Sequence, residues 1–285
     1  MAARRKKKKS AFYRLTVFIV TLLTCIGAAI SFVLSSGFPI SIQAKESKRT
    51  ANDPRWEIPQ TANTNNCQLI EHTGYTVCYN HKWNLPYWVA YELTKQEVDG
   101  DNTRSDKFLP DPMVKVNPVV SKDYSNSGYD RGHMAPAGDM KWSEQAMKES
   151  FYMTNICPQN HNNNAGDWKD LEELVRDLAV QYGAVYICCG PIVTDHSNTI
   201  GDARKIVVPQ AFFKVLLRKK AESGWTAIGF VMPNTAGNHP LMTYMRPVDE
   251  VEKMSGIDFF CNLPDSIEKK VEADFNISDW IVKRK

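Results

Sequence analysis

The sequence predicts an α+β fold in which helices flank a central antiparallel or mixed sheet. Four nearly continuous apolar runs follow one another between residues 184 and 232, which is typical of strands buried on both faces. An amphipathic helix pattern that ends at Gly183 precedes them. With 285 residues, of which 43% are hydrophobic and 24% charged, the chain has enough apolar material for one large domain or two small ones.

An uncharged apolar stretch of twenty residues at 15–34 follows a basic tail at residues 1–14. Its length suits a helix that spans a bilayer, and the basic flank would stay in the cytoplasm. The pattern therefore predicts a transmembrane signal anchor, with the rest of the chain on the extracytoplasmic side. A cleaved signal peptide, which would release a secreted protein, is the alternative, although its apolar core is usually shorter.

The net charge gives no argument for a nucleic-acid partner. The formal value is +3, but seven of the basic residues lie in residues 1–34, where there is no acidic residue. The remaining 28 Lys and Arg stand against 32 Asp and Glu, a balance of about −4. Any affinity for phosphate must then come from a local cluster or from a metal ion.

Residues 35–66 are polar and irregular, which predicts a linker and places the folded domain at residues 67–285. The first strands are predicted at residues 76–79 and 87–93. A loop rich in Asp, Asn and Pro follows at residues 99–117.

Six of the seven cysteines lie outside the apolar segment, and export to an oxidising compartment would permit disulfides. Cys67 and Cys78 flank a predicted hairpin turn symmetrically. A disulfide between them and two free thiols are both compatible with that arrangement. The pairing of the four later cysteines is left open by the sequence.

The middle of the chain predicts a serine-capped helix at residues 143–150 and a strand at residues 151–156. The amphipathic helix after them has two stripes. One is apolar and contains Leu171, Leu174, Val175, Leu178 and Tyr182. The members of the other stripe are spaced four residues apart and are Asn164, Trp168, Glu172 and Arg176.

The C-terminal part predicts the strands of the central sheet and two short helices. The strands are expected at residues 184–189, 205–208, 211–218 and 225–232, and the helices at residues 247–254 and 267–273.

His133 is the strongest candidate for chemistry, because Asp130, Arg131 and Gly132 precede it directly. Hydrolysis of a phosphodiester needs a base for the water, a cation on the phosphate oxygens and stabilisation of the leaving oxygen. Each of the other five histidines lacks such neighbours and is expected to be structural. Cys157 and His161 could form half of a zinc site, but no second pair has suitable spacing.

Three segments in this order resemble the DNA/RNA non-specific endonucleases of the ββα-metal (His-Me finger) superfamily. They are Asp130-Arg131-Gly132-His133 with Met134-Ala135-Pro136, Thr154-Asn155-Ile156-Cys157-Pro158-Gln159, and Asn164 with Trp168, Leu171 and Glu172. The resemblance covers roughly residues 67–260. It implies a ββα-metal finger core and a metal-dependent endonuclease that acts on DNA and RNA with little base selectivity.

The resemblance also implies roles for individual residues. His133 would be the general base, and Asn164 the protein ligand of Mg²⁺, with Mn²⁺ as the alternative ion. Glu172 would hold metal-bound water, and Asn155 would support the site. Arg104 and Arg176 would stabilise the pentacovalent phosphate, while Arg131 would either contact phosphate or be structural.

Two departures from the family pattern are visible. Asn162 and Asn163 stand next to Asn164 and compete with it for the metal, and Cys157 occupies a position where a small or aliphatic residue is expected. A catalytically inactive, surface-displayed nucleic-acid-binding module of the same fold is the alternative function. A phosphodiesterase or phosphatase for smaller esters is a second alternative.

Overall fold

A seven-stranded antiparallel sheet forms the centre of the computed structural model, which describes residues 54–61, 67–220, 224–235 and 237–282. Its strands are β2 (Cys67–Glu71), β3 (Thr76–Asn80), β4 (Leu85–Thr94), β7 (Ala184–Ile192), β10 (Ala211–Lys219), β11 (Trp225–Pro233) and β12 (Met245–Arg246). Across the sheet they are arranged in the order β12-β11-β10-β7-β4-β3-β2.

Six shorter strands pair outside this sheet. They are β1 (Gln60–Thr61) with β13 (Ile257–Asp258), β5 (Asp130–His133) with β6 (Ile156–Gln159), and β8 (Thr199–Ile200) with β9 (Ile206–Val207). The helices are α1 (Lys95–Val98), α2 (Glu144–Ser150), α3 (His161–Ala165), α4 (Asp167–Tyr182), α5 (Val248–Ser255) and α6 (Asp265–Ala273).

The two faces of the sheet bury different helices, and β10 shows how its sequence arranges this. Phe212 and Leu216 belong to the apolar cluster that contains α4, whereas Phe213, Val215 and Leu217 belong to the cluster that contains α5 and α6. Alternate side chains of a strand point to opposite faces, so a run that is apolar throughout can be buried on both. The predicted central sheet with flanking helices is confirmed.

Helix α4 forms because one of its faces is apolar at helical spacing. Leu171, Val175 and Leu178 are fully buried against the sheet. Gly183 ends the helix with φ of 94°, a backbone conformation that a residue with a Cβ adopts only with strain. The predicted helix is therefore present with its predicted end.

The start of this helix differs from the prediction. Asn164 does not lie on α4 but on the separate five-residue helix α3. The two helices are divided by Gly166, whose φ of −112° and ψ of −110° interrupt the helical backbone. Asn160 caps α3 by accepting a hydrogen bond from the backbone N–H of Asn162.

Two other segments also differ from their predictions. The strand expected at residues 151–156 is instead a 3₁₀ turn at Met153–Asn155 followed by β6. Residues 54–61, expected in the linker, belong to the folded unit, since the ring of Trp56 packs 4.5 Å from that of Trp225 and β1 pairs with β13. Burial of that aromatic ring is the physical reason, because it removes apolar surface from water.

Cys67 and Cys78 form a disulfide with their Cα atoms 5.5 Å apart. They are diagonal rather than directly opposite, because the register pairs Cys67 with Asn80 and Cys78 with Leu69. The other cysteines of the described residues, Cys157, Cys188, Cys189 and Cys261, are free thiols.

The anchor predicted at residues 15–34 lies outside the described residues, as does the basic tail. No helix within the described ranges combines the length and the apolar character needed to cross a bilayer.

Candidate active site

Strands β5 and β6, together with helices α3 and α4, bring His133, Asn164 and Glu172 onto one small unit. Asp130, the first residue of β5, accepts a hydrogen bond from Nδ2 of Asn164 at 2.9 Å. At the other end of the strand, the carbonyl oxygen of His133 accepts one from the indole N–H of Trp168 at 3.2 Å. Each helix is thus tied to one end of β5, which places His133 and Asn164 on the same ββα unit.

Gly132 allows the two strands to approach each other closely. A Cβ at this position would collide with the side chain of Gln159, which lies on β6. The glycine is needed for space, since its backbone does not adopt the left-handed region that the four positive-φ glycines occupy.

His133 is held in an apolar pocket that keeps its imidazole neutral. Only 8% of the residue is exposed, and its ring lies 4.8 Å from the ring of Phe151 and 5.4 Å from that of Phe108. Burial, with a smaller contribution from the charge of Arg104, lowers the pKa of His133 from 6.5 to about 3. Nε2 is shielded from solvent and has no hydrogen-bond partner in the structure.

Asn155 holds the segment that follows His133 in place. Its Oδ1 accepts from the N–H of Ala135, while its Nδ2 donates to the carbonyl oxygens of Ala135 and Ser150. The side chain is fully buried, so all three hydrogen bonds are shielded from water. It connects the end of α2 to the chain just after β5, which also explains why the predicted strand gives way to a turn here.

The three neighbouring asparagines have different surroundings. Asn162 is exposed, Asn163 is buried with Nδ2 unpaired, and Asn164 is half-buried. The amide nitrogen of Asn164 is engaged by Asp130, while its carbonyl oxygen accepts no hydrogen bond from the described residues. An amide oxygen is a ligand that Mg²⁺ accepts, so Asn164 fits a hard cation.

Glu172 and Arg176 do not form the i,i+4 pair that their spacing suggests. The guanidinium of Arg176 donates instead to Asp139 at 2.8 Å, and the hydroxyl of Tyr91 donates to the other oxygen of the same carboxylate. Burial raises the pKa of Glu172 to about 7, although the charges of Lys214, Arg176 and Arg104 oppose the change.

Lys214 lies next to the candidate site and is not among the residues predicted from the sequence. It is fully buried on β10, where its ammonium lies 4.5 Å from the centre of the Trp168 ring and close to the thiol of Cys189. Its charge lowers the pKa of Glu172 more than any other neighbouring charge does. A single lysine within an otherwise apolar strand was the signal that could have identified it.

The two remaining arginines have different environments. Arg104 is exposed and lies with Cζ 5.2 Å from the Phe151 ring, near enough to His133 and Glu172 for its charge to lower the pKa of both. Arg131 stacks between the rings of Phe108 and Tyr124 and donates to the carbonyl oxygen of Ser121.

The zinc alternative is not formed. Cys157 is fully buried, whereas the imidazole of His161 is exposed and lies 2.9 Å from Asp130. These two residues belong to none of the carboxylate, thiol and imidazole clusters that could hold a metal in the described part of the chain.

Residues 54–266 match the sequence model of the DNA/RNA non-specific endonuclease family. The chain is 38% identical over 208 residues to the mitochondrial nuclease EXOG of Xenopus laevis, covering 68% of this chain and 58% of that protein. It is 34% identical over 257 residues to EXOG of Homo sapiens, covering 83% and 68%. To the mitochondrial endonuclease G of Homo sapiens it is 32% identical over 209 residues, covering 69% and 70%.

A similar fold occurs in the crystal structure of the EndoG/EndoGI complex. The TM-score is 0.65 at 29% sequence identity, over 70% of this chain and 88% of that one. The chain spans 58% of the length of EXOG from Xenopus laevis and 60% of that from Danio rerio.

These relatives contradict the predicted location. The N-terminal sequence pattern predicts a folded domain on the extracytoplasmic side of a membrane, but the proteins similar to this chain are named as mitochondrial nucleases. The prediction of a membrane-anchored, extracytoplasmic protein is therefore wrong. An apolar segment behind a basic tail indicates membrane insertion only by its composition, and that evidence is outweighed by these relatives.

Proposed function

The chain belongs to the DNA/RNA non-specific endonuclease family, and on that premise we propose that it is a metal-dependent endonuclease that hydrolyses phosphodiester bonds of DNA and RNA. The observation that carries the proposal is that a buried, neutral His133 and Asn164 lie on the same ββα unit. The description of the family includes both DNA and RNA and calls the enzymes non-specific, so both polymers are proposed as substrates, with little base selectivity.

His133 accepts the proton from the attacking water. Its imidazole is already neutral at pH 7, because burial keeps the pKa low. As the bond from the water oxygen to phosphorus forms, the bond from phosphorus to the 3′ oxygen breaks. The 3′ oxygen leaves with the bonding electrons and takes a proton from solvent water, so the products are a 5′-phosphate and a 3′-hydroxyl. A base works best when its pKa lies near the operating pH. A phosphate that pairs with Arg104 would offset the positive charge beside the ring and raise the pKa of His133 in the direction of catalysis.

Asn164 would hold the metal through its carbonyl oxygen, with Mg²⁺ as the first candidate and Mn²⁺ as the second. The donor set fits, since Mg²⁺ prefers oxygen ligands and retains several of its waters. When bound, such an ion supplies positive charge to the phosphate and the leaving oxygen. Asp130 orients Asn164 by accepting its amide hydrogen, which leaves the carbonyl oxygen available.

The remaining residues orient groups and balance charge. Glu172 would hold water next to the metal. Arg104 and Arg176 would stabilise the negative charge that develops on the phosphate. Arg131 is engaged by Ser121 and two aromatic rings, which supports the structural one of its two predicted roles. Asn155 positions the backbone next to His133.

A plasmid-nicking assay tests the proposal. The protein should convert supercoiled DNA to the nicked form with Mg²⁺ and lose this activity with EDTA. His133→Ala should lower the rate by about 10²–10⁴-fold, the usual contribution of a general base. His81→Ala is the matched control, because this exposed histidine contacts Gln68 away from the site.

Each alternative function predicts a different result. An inactive binding module would shift the plasmid on a gel without nicking it. A phosphodiesterase for small esters would leave the plasmid intact and hydrolyse a small ester with Mg²⁺. Full nicking activity in His133→Ala would refute the assignment of the base.

A further inference from the structure

Three carboxylates converge on the face of the sheet opposite to the candidate active site. Asp249 and Glu252 lie one turn apart on α5, and Glu272 lies on α6. One carboxylate oxygen of each lies within 4.8 Å of the others. The helices that carry them are packed through Val251 and Val271 in the apolar cluster that also contains Val215 of β10. The carboxylates are therefore held together by the packing of two helices that are distant from His133 in the fold.

Glu272 is the member that most needs a partner. It is 5% exposed, and its Oε1 is buried without a hydrogen-bond donor. None of the three carboxylates forms an ion pair with a lysine or arginine of the described residues. A buried carboxylate without a donor or a counter-ion is costly, and such groups in proteins are normally paired or bound to a metal.

The charges of the cluster repel one another. Burial first, and then the charge of Glu252, raises the pKa of Glu272 to about 9. Burial likewise raises the pKa of Glu252 to about 7. Asp258 and Glu268 add further negative charge around both groups. The cluster must therefore hold either protons or a cation.

We propose that Asp249, Glu252 and Glu272 bind one Ca²⁺ ion, at a site separate from the catalytic metal, and that the ion clamps α5 to α6. Three carboxylates provide oxygen ligands only, which selects a hard cation. Asp249 and Glu252 are half-exposed, and a cleft opens beside Glu252 between Gln60 and Gly256. Water can therefore supply the additional ligands that Ca²⁺ takes, and its flexible coordination suits side chains from two helices better than the octahedral geometry of Mg²⁺.

The test is a titration of the full chain with CaCl₂. Calorimetry measures the binding, and thermal unfolding measures the change in the unfolding midpoint. The protein carries Asn164→Ala and is first stripped with EDTA and dialysed, so that calcium at the proposed catalytic ligand is not counted. One equivalent of Ca²⁺ should bind and raise the midpoint. Glu272→Gln in this background should weaken binding by roughly tenfold or more, since affinity follows the number of charged ligands.

Glu250→Gln is the matched control. It removes the same charge from the same helix, but Glu250 is exposed and faces Arg246 instead of the cluster. Its affinity for Ca²⁺ should equal that of the parent. Asp249→Asn provides a second variant at a half-exposed position, in case Glu272→Gln fails to fold, and it should weaken binding similarly.

Absence of saturable Ca²⁺ binding in the parent would overturn the proposal. So would unchanged affinity in Glu272→Gln or, if that variant does not fold, in Asp249→Asn. Plasmid nicking by Glu272→Gln with Asn164 intact should persist in Mg²⁺. A loss of nicking there, with the variant folded, would mean that the cluster is not separate from the catalytic metal.

Discussion

At the scale of single residues, the site depends on polar groups that the fold keeps in unusual states. His133 lies between two phenylalanine rings with Arg104 nearby, and burial, followed by the charge of Arg104, disfavours its cationic form. Asn164 has one end of its amide engaged by Asp130 and the other end free of hydrogen bonds from the described residues. In the proposed mechanism, His133 is thus ready to accept a proton and Asn164 is ready to bind a cation, and the packing around them must offset the free-energy cost of burying both groups.

The protonation of His133 gives a prediction on pH. In the unfolded chain the imidazole titrates near 6.5, whereas in the folded protein its pKa is about 3. Between these values the unfolded state binds more protons, so His133 makes stability fall as pH decreases from about 6.5 to about 3. We expect the imidazole NMR signals of His133 to remain those of the neutral form from pH 8 down to pH 5.

His133→Ala should have a smaller loss of stability between pH 7 and pH 4 than the parent, measured as the free energy of unfolding in urea. His81→Ala, which changes an exposed ring, should behave as the parent does. An imidazole at position 133 that titrates near pH 6.5 would contradict the argument from burial.

The choice among three asparagines gives a second prediction. Asn164→Ala should lower metal-activated nicking roughly a hundredfold, because it removes the proposed protein ligand of the ion. Asn162→Ala should retain the rate, since this side chain is exposed on the same helix. The measurement is the nicking rate as a function of MgCl₂ concentration. A large loss in Asn162→Ala with little change in Asn164→Ala would move the ligand.

At the scale of elements, strand β10 packs against the site because its side chains alternate between the two faces of the sheet. Its residues on one face pack against α4, and among them Lys214 lies under the ring of Trp168. The same indole donates to the carbonyl oxygen of His133. A buried cation is therefore in contact with the residue that joins α4 to β5.

Lys214→Met tests this arrangement. Methionine fills a similar volume, so the fold should persist, but the positive charge that lowers the pKa of Glu172 is removed. The pKa of Glu172 should then rise further above about 7. If Glu172 acts in its ionised form, activity at pH 7 falls and the pH of half-maximal nicking increases.

Lys219→Met is the control for that experiment. Lys219 lies on the same strand and contacts the rings of Trp56 and Trp225, which belong to the apolar cluster on the other face. The pH profile of this variant should match that of the parent. Superimposable profiles for Lys214→Met and the parent would show that the buried ammonium has no influence on Glu172.

At the scale of the whole molecule, the central sheet is secured at its edge. Strand β2 is the outermost strand on one side, and the bridge from Cys67 to Cys78 joins it to β3. An edge strand lacks a neighbour on one side and opens more readily than an internal strand. The disulfide therefore links an edge strand covalently to its inner neighbour.

Removal of this disulfide should destabilise the protein by about 3 kcal/mol, as expected for a loop closed over a sequence separation of 11. The comparison is between the urea unfolding curves of the parent and of the double variant Cys67→Ser with Cys78→Ser. Cys261→Ser is the control, because this half-buried thiol lies outside the bridge. Equal unfolding free energies for the parent and the double variant would contradict the predicted contribution.

The sequence by itself determined the features that depend on local pattern. The spacing of Leu171, Val175 and Leu178 requires a helix, and Gly183 ends it, because the period of 3.6 residues places those side chains on one face. The apolar runs of the sheet and the motif around His133 could also be recognised in the sequence, because each of these patterns is contained within a few neighbouring residues.

Only the tertiary structure decided which distant groups meet. In the folded protein, Arg176 donates to Asp139 and not to the nearby Glu172. Asn164 lies on a helix of its own, and the ammonium of Lys214 lies against the ring of Trp168. Such contacts join elements far apart in the chain. They depend on the register and packing of a sheet that is complete only when all its strands are paired, and no local period encodes that arrangement.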